Sequence, residues 1–360
     1  MAQALILLSR SPGERRVALL LDGVLTEAWV ERPARPDGVG DVWAGRVAAL
    51  APAMAGAFIA LPDGSTGFLP ESEASRDRRP LKDALQEGQL VVAVVTRAAQ
   101  GGKGPRLSVR RAPPLTASAP GLLARGPDAA QRLRAAHPDA RILADDRAEA
   151  RRLGAEYVPR AFDAELEAAF EALAEPRVEL PGGGLLWIEE TRALTALDLD
   201  AGAHAGAGRD AQRRFNESAL SEVARQIRLR QLGGPILLDV AGLSPRDRQQ
   251  LLPALSRALA ADSLAELLGI GPLGLFEIRR ARVHPPLSAV LAGPLTPALA
   301  LLRQAAREAA AAPHRRLVLR APAAWLEALR NLPGALEEYA AAAGHPLLLE
   351  EADAPAIIDR

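Results

Sequence analysis

Cysteine is absent from the 360-residue chain. That excludes disulfides, catalytic thiols, thiolate zinc sites and iron–sulfur clusters. Histidine is scarce, at five residues, and no two stand at metal-ligand spacing, so a histidine-rich zinc centre is not expected. Lysine is nearly missing, with Lys82 and Lys103 the only two, so arginine carries almost all the positive charge. Excess charge of either sign is also lacking: Lys+Arg 44 balance Asp+Glu 44. A uniformly basic nucleic-acid binder is thereby excluded, while local basic patches are not. No apolar run approaches the ~20 residues of a spanning helix. The run Ala4–Leu8 is too short for a signal-peptide core, and its cations follow rather than precede it. A cytoplasmic protein with no membrane partner is expected.

What is present supports a large folded core, since apolar residues make up 49% of the chain. The length suggests two to three folding units. Residues 3–33 read as strands, with Asp22-Gly23 as a tight turn. Short strands then follow at Asp41–Ala48, Ala55–Leu61, Gly67–Leu69, Leu90–Thr96 and Arg106–Arg110, the spacing of a small antiparallel barrel. Ala112–Pro120 is a linker by composition. Residues 121–176 mix strands and helices, with an amphipathic helix at Asp163–Leu173. Beyond Gly182-Gly-Gly184, read as a turn, strands at 185–188, 193–199 and 235–240 alternate with helices at 210–231 and 245–260, which argues an α/β layer. A compact α+β tail closes the sequence.

Three constellations are able to carry chemistry. The first is a pair of strands ending in carboxylates, Leu194-Thr-Ala-Leu-Asp198-Leu-Asp200 and Pro235-Ile-Leu-Leu-Asp239. If they are neighbours, Asp198 and Asp239 converge at the carboxyl ends of an α/β sheet, with Asp200 on the face of Asp198. Clustered carboxylates repel unless a cation holds them, and hard oxygens suit Mg²⁺, which activates water and offsets charge on a phosphodiester. The alternative is strand-end residues in ordinary turns. The second is Phe58 and Phe68 beside the loop Gly101-Gly-Lys103-Gly104, flanked by Arg97 and Arg106, a set suited to base stacking with phosphate contact. The alternative is core packing of the phenylalanines. The third is the arginine stripe of helix 210–231 (Arg213, Arg214, Arg225, Arg228, Arg230), either a phosphate grip or a face paired with Glu217 and Glu222. His204 lies in the Gly/Ala loop near the aspartate strand.

The run Arg192–Asp200, then Phe215-Asn216, Ala224-Arg-Gln-Ile-Arg-Leu-Arg-Gln-Leu-Gly-Gly234, Ile236–Asp239 and Gly274–Arg280, resembles the RNase E/G family of endoribonucleases. Val39–Arg46, Ala57–Ile59, Gly67–Leu69 and Gly102–Leu107 resemble that family's S1-like barrel. The resemblance covers most of the chain in collinear order. It implies an α/β multi-subdomain fold: an RNase H-like subdomain of residues 1–37 and 121–176, an inserted S1-like OB barrel at 38–112, a DNase I-like catalytic subdomain at 177–290, and a small α+β C-terminal domain at 291–360. It further implies Asp198 and Asp239 as Mg²⁺ ligands, with Mn²⁺ as a substitute. Phe58, Phe68, Arg97 and Lys103 are implied as contacts to single-stranded RNA, while Asp200, on the face of Asp198, is expected from the strand alternation to support or join the ligation. The implied reaction is RNA hydrolysis leaving 5′-phosphate and 3′-hydroxyl ends.

The departures from the family pattern carry expectations of their own. The family's 5′-sensor segment is not found after the barrel, so 5′-monophosphate sensing is not expected. Pro285–Pro294 stands in place of a cysteine zinc link, so neither zinc nor a zinc-linked dimer is expected, other oligomers remaining open. Asp200 occupies a position where the family has asparagine. These departures leave a rival reading, an RNA-binding protein on the same scaffold with weak or no cleavage.

Overall fold

The computed structural model describes residues 3–202 and 208–359. In chain order, β1 (Ala4–Ser11), β2 (Glu14–Leu21) and β3 (Val24–Glu31) form a meander. Then come β4 (Val42–Ala51), β5 (Gly56–Ala60), β6 (Thr66–Pro70), the single turn α1 (Leu81–Ala84), β7 (Leu90–Arg97), β8 (Arg106–Ser108) and β9 (Gly121–Ala124). The next stretch is α2 (Ala129–Ala136), β10 (Arg141–Ala144), α3 (Arg147–Leu153), β11 (Glu156–Tyr157) and α4 (Ala164–Ala172). After it lie β12 (Arg177–Glu179), β13 (Leu185–Glu190), β14 (Thr195–Asp200), α5 (Arg209–Leu229), β15 (Gly234–Asp239), α6 (Pro245–Leu259), β16 (Ala265–Ile270) and β17 (Phe276–Arg280). The chain ends with α7 (Leu287–Leu291), α8 (Leu295–Ala311), β18 (Leu317–Ala321), α9 (Ala323–Arg330), α10 (Ala335–Ala343), β19 (Leu348–Glu351) and β20 (Ala356–Asp359).

These elements gather into two compact units. The first comprises residues 1–36, 129–175 and 287–360. It holds the sheet β11-β10-β1-β2-β3 and the sheet β19-β18-β20. Leu302, Leu319, Leu329 and Tyr339 form the core between the latter sheet and helices α8 to α10. Gly13 takes φ +76° in the β1–β2 turn, where an added Cβ would meet Ala335 and Leu332 at 2.9 Å, so the turn must be glycine.

Glu167 on α4 ties three segments of this unit together, accepting from Arg16 at 2.6 Å and also from Arg307. Burial raises its pKa, but the hydrogen bonds from Arg16 and Arg307 outweigh burial and bring it to about 2, against an ordinary 4.5. A depressed carboxylate stabilises the fold above its unfolded pKa, and that contribution fades as pH falls toward the folded value. Glu167→Gln is expected to cost about 2 kcal/mol near neutral pH after allowance for solvent screening. The cost should shrink toward zero at about pH 2. Melts of both proteins at neutral and acid pH check this; an equal cost at both would refute the linkage.

The second unit comprises residues 37–128 and 176–286. Its first part is a closed five-strand barrel, because the long, bulged β4 pairs with β7 through its first half and with β5 through its second. The ring runs β4-β5-β6-β8-β7, and β9 adds to β4 from outside it. One pair, β6–β8, is parallel, where an all-antiparallel barrel was expected. Val47, Ile59, Leu69, Val91 and Leu107 fill the interior.

The second part is a six-stranded sheet in the order β12-β13-β14-β15-β17-β16. Only β14 and β15 are parallel, linked by the crossover helix α5. Along β14 the residues alternate, with Thr195, Leu197 and Leu199 buried and Asp198 and Asp200 exposed. The buried set packs with Leu186, Ile236 and Leu238 against Phe215, Leu220, Val223 and Ile227 of α5 and Leu251 and Leu255 of α6. Both helices therefore lie on one face of the sheet, and the aspartates are on the other.

Candidate active site

Parallel pairing puts Asp198 and Asp239 in direct register at the carboxyl ends of β14 and β15. Register partners on adjacent strands point to the same face with backbones about 4.8 Å apart. The two carboxylates thus share one side of the sheet, as expected of a ligand site at strand ends. The pKa of Asp198 is raised, first by burial and then by the charges of Asp239, Asp200 and Glu189. Asp239 is held by Arg248, whose Nη1 donates to its Oδ1 at 2.8 Å.

Asp200 is two residues farther along the same face, and its Oδ1 accepts from the Gly202 amide at 2.9 Å. Among the described residues no three histidine or acidic side chains converge on a common cation position. The structure therefore offers two hard oxygen donors and does not bring Asp200 in as a third. An open two-carboxylate site fits Mg²⁺, which keeps several waters and commonly takes one or two carboxylates plus substrate phosphate oxygens. His204 lies outside the described residues.

Several supporting residues were not legible as site residues in the sequence. Arg248 sits in the first turns of α6, capped by Ser244. It also donates to Gly274 O at 2.8 Å and to Leu243 O at 3.2 Å, which fixes it between the strand end and the β16–β17 turn. The only signal was positional: a cation shortly after a Ser-Pro helix start, itself just past a strand-end aspartate. Asn216 is fully buried in α5. Its side chain donates to Ala241 O and accepts from Ala241 N, both at 2.9 Å, clamping the loop that follows Asp239. Gly182-Gly-Gly184 does form a turn, between β12 and β13. A Cβ at Gly184 would lie 2.7 Å from Asp200 O, so only glycine lets the two segments close.

In the barrel, Phe58 and Phe68 are cross-strand partners on β5 and β6. Their rings meet edge to face with centroids 5.7 Å apart. Both are partly exposed and neither belongs to the barrel core, so the core-packing alternative does not describe them. Gly56 makes room for this pair, since a Cβ there would come within 2.5 Å of the Phe68 ring. Lys103 is exposed at the tip of the β7–β8 loop. Burial first, then the neighbouring charges of Arg106 and Arg282, lower the pKa of Arg97, whose Nε has no hydrogen-bond partner. Among the described residues none of these three guanidiniums is paired with a carboxylate, and a cluster of like charges is suited to a phosphate.

Of the two readings of the α5 arginine stripe, the structure favours the paired face over the phosphate grip. Arg225 pairs with Glu222 at 2.7 Å, and Arg230 is buried against Gln226. Arg213 reaches Gln250 at 3.1 Å. The helix also lies on the sheet face away from the carboxylates, so its period placed the arginines on one stripe without saying which way the stripe faced.

The family model described as the Ribonuclease E/G family matches residues 134–283. Ribonuclease G of Salmonella typhimurium is 26% identical over 397 residues, covering 79% of this chain and 81% of its own length. Ribonuclease E of Synechocystis is 40% identical over 116 residues, which are 31% of this chain and 17% of that protein. Among solved structures, GSP13 from Bacillus subtilis is 28% identical over 22% of this chain and 64% of its own, with a TM-score of 0.20.

Proposed function

Since the chain is an RNase E/G family protein, we propose that it is an endoribonuclease that hydrolyses single-stranded RNA with Mg²⁺, leaving 5′-phosphate and 3′-hydroxyl ends. The observation that carries this reading is the direct register of Asp198 with Asp239 on one open sheet face. These two side chains would hold the ion, which when bound supplies Lewis-acid polarisation of the phosphodiester and a water of lowered pKa.

The protein's own residues do the rest. Arg248 fixes the Asp239 carboxylate, a role typical of groups that orient a metal ligand. Asp200 adds negative charge on the same face and steadies the start of the loop at Gly202. Phe58 and Phe68 stack unpaired bases, while Lys103, Arg97 and Arg106 meet the backbone phosphates. Arg282 joins the Arg97 cluster and also donates to Ala193 O at 3.3 Å, near the start of the aspartate strand. From Thr195, where β14 begins just past that contact, to Asp198 the strand advances roughly 10 Å at about 3.3 Å per residue. Substrate held at that cluster therefore has to run along β14 to reach the carboxylates, which selects an extended single strand over a compact ligand.

In this reading residues 38–112 are an S1-like barrel and 177–290 a DNase I-like catalytic subdomain. The expected RNase H-like subdomain shrinks to residues 1–36 and 129–175, because β9 at Gly121–Ala124 pairs with the barrel strand β4, and 291–360 is the small C-terminal domain. The setting is cytoplasmic RNA processing or decay. No helix among the described residues is long and apolar enough to cross a membrane.

The test is incubation of a short single-stranded RNA with Mg²⁺ or with EDTA, with the ends of the fragments identified. Magnesium-dependent cutting to 5′-phosphate fragments is expected. Tight binding without cutting would favour the binding-only reading. Substrates bearing 5′-monophosphate and 5′-hydroxyl should be cut at rates within about two-fold, because the barrel's β8 and β9 are joined by residues 109–120 without an intervening sensor module. A strong monophosphate preference would show that another segment senses the end.

A further inference from the structure

We propose that Trp187 is a base-stacking platform beside the scissile phosphate, and that Arg177 receives the next phosphate beyond it. This rests on the cleavage reading above and extends it to a substrate subsite. Three registers, read together, place four residues in one line across the sheet. Arg177 on β12 faces Trp187 on β13, Trp187 faces Asp198 on β14, and Asp198 faces Asp239 on β15. Facing residues in a sheet share a side, so the row reads cation, aromatic, carboxylate, carboxylate on the surface opposite the helices. At about 4.8 Å per strand, the indole is one step from Asp198 and Arg177 is about 14 Å from Asp239.

The indole is 38% exposed, although a tryptophan is costly to leave in water where no partner covers it. It lines an open depression with Glu189, Ala196 and Asp198. The depression exists because Ala196, the partner of Glu189, contributes only a methyl group beside the carboxylates. Glu189, Asp198, Asp200 and Asp239 make this face acidic, so away from a bound cation it repels an RNA backbone. An uncharged aromatic face is the kind of contact that tolerates such surroundings, because every base has a π-face and stacking needs no countercharge. Arg177 then ends the row with a positive group, paired in the free protein with Glu179 at 2.9 Å and exposed to solvent.

The experiment compares wild type, Trp187→Ala and Trp187→Phe on a short single-stranded RNA and on copies carrying one abasic nucleotide at each position in turn. Binding of the same RNAs is measured in EDTA. Trp187→Ala is expected to weaken binding and lower kcat/KM by roughly 5- to 100-fold, the range for one aromatic–base stack, with most of the loss restored by Trp187→Phe. At the one abasic position next to the cut, wild type should lose the same factor and Trp187→Ala nothing further. Wild-type values in Trp187→Ala, or a loss that is the same at every abasic position, would overturn the proposal. Wild type that binds but does not cut, or Asp198→Asn that cuts as wild type does, would instead overturn the cleavage reading. In that case the abasic binding profile still decides for or against the stack.

Discussion

Asp198→Asn and Asp239→Asn are each expected to lower the rate of magnesium-dependent RNA cleavage by roughly 10³-fold or more, with RNA binding by the barrel unchanged. Asparagine keeps the shape of aspartate and its ability to accept a hydrogen bond, so the Arg248 contact to residue 239 survives in weaker form. What is lost is a full negative charge at the ion, and metal polarisation of a phosphodiester is worth several kcal/mol of transition-state stabilisation. At 1.36 kcal/mol per tenfold, three powers of ten is a modest demand on that contribution. The double variant should be little worse than either single one, because two ligands of one ion act as a unit. Folding of Asp198→Asn should not suffer, since that side chain is exposed and its loss removes a charge from mutually repelling carboxylates, whereas Asp239→Asn also weakens the ion pair with Arg248 and should lower the melting temperature modestly. A melting comparison therefore separates lost chemistry from lost structure. Cleavage that survives both substitutions, with magnesium still required, would place the ion elsewhere and remove the central premise.

The parts of this site that were legible in the sequence are those fixed by short-range periodicity. Alternation along Thr195–Asp200 and the apolar run Ile236–Leu238 marked two strands with carboxylates at one end, and a helix between them implies parallel neighbours. From there, direct register of Asp198 and Asp239 needs the two strands to be adjacent and unslipped, which their shared buried faces favour. Trp187 was not legible as a site residue, because its meaning depends on β13 pairing antiparallel to β14 in one particular register. Arg248 was hidden for a similar reason, since its contacts to Asp239 and to Gly274 come from the path of α6 across the sheet end. The strands β16 and β17 had no clear reading of their own. Arg280, buried in an ion pair with Asp262 at 2.7 Å, looks in the sequence like any other surface arginine. The α5 stripe shows the converse: helical period groups residues on a face, but only packing decides whether that face meets substrate, solvent or its own glutamates.

Removing either aromatic of the barrel is expected to weaken RNA binding by about 10-fold, and removing both by less than the product of the two. The sub-product effect follows from the edge-to-face contact of the rings at 5.7 Å: each helps hold the other in its binding orientation, so the first truncation already degrades the second site. Because neither ring belongs to the packed interior around Ile59, Leu69 and Leu107, Phe58→Ala and Phe68→Ala should shift the melting temperature little. Phe→Leu at each position serves as the control, keeping apolar bulk while deleting the π-face; it should bind nearly as poorly as alanine if stacking is the contact. Lys103→Ala should act differently. Its ammonium is exposed at a loop tip and meets a phosphate, so its loss should reduce the slope of log affinity against log salt by about 0.7, one counterion released by a single strand, without changing base preference. All of these are measured in the Asp198→Asn background, where the RNA stays intact. Phenylalanine variants that alter the salt slope, or a lysine variant that leaves it unchanged, would show that the division between stacking and charge drawn from this surface is wrong.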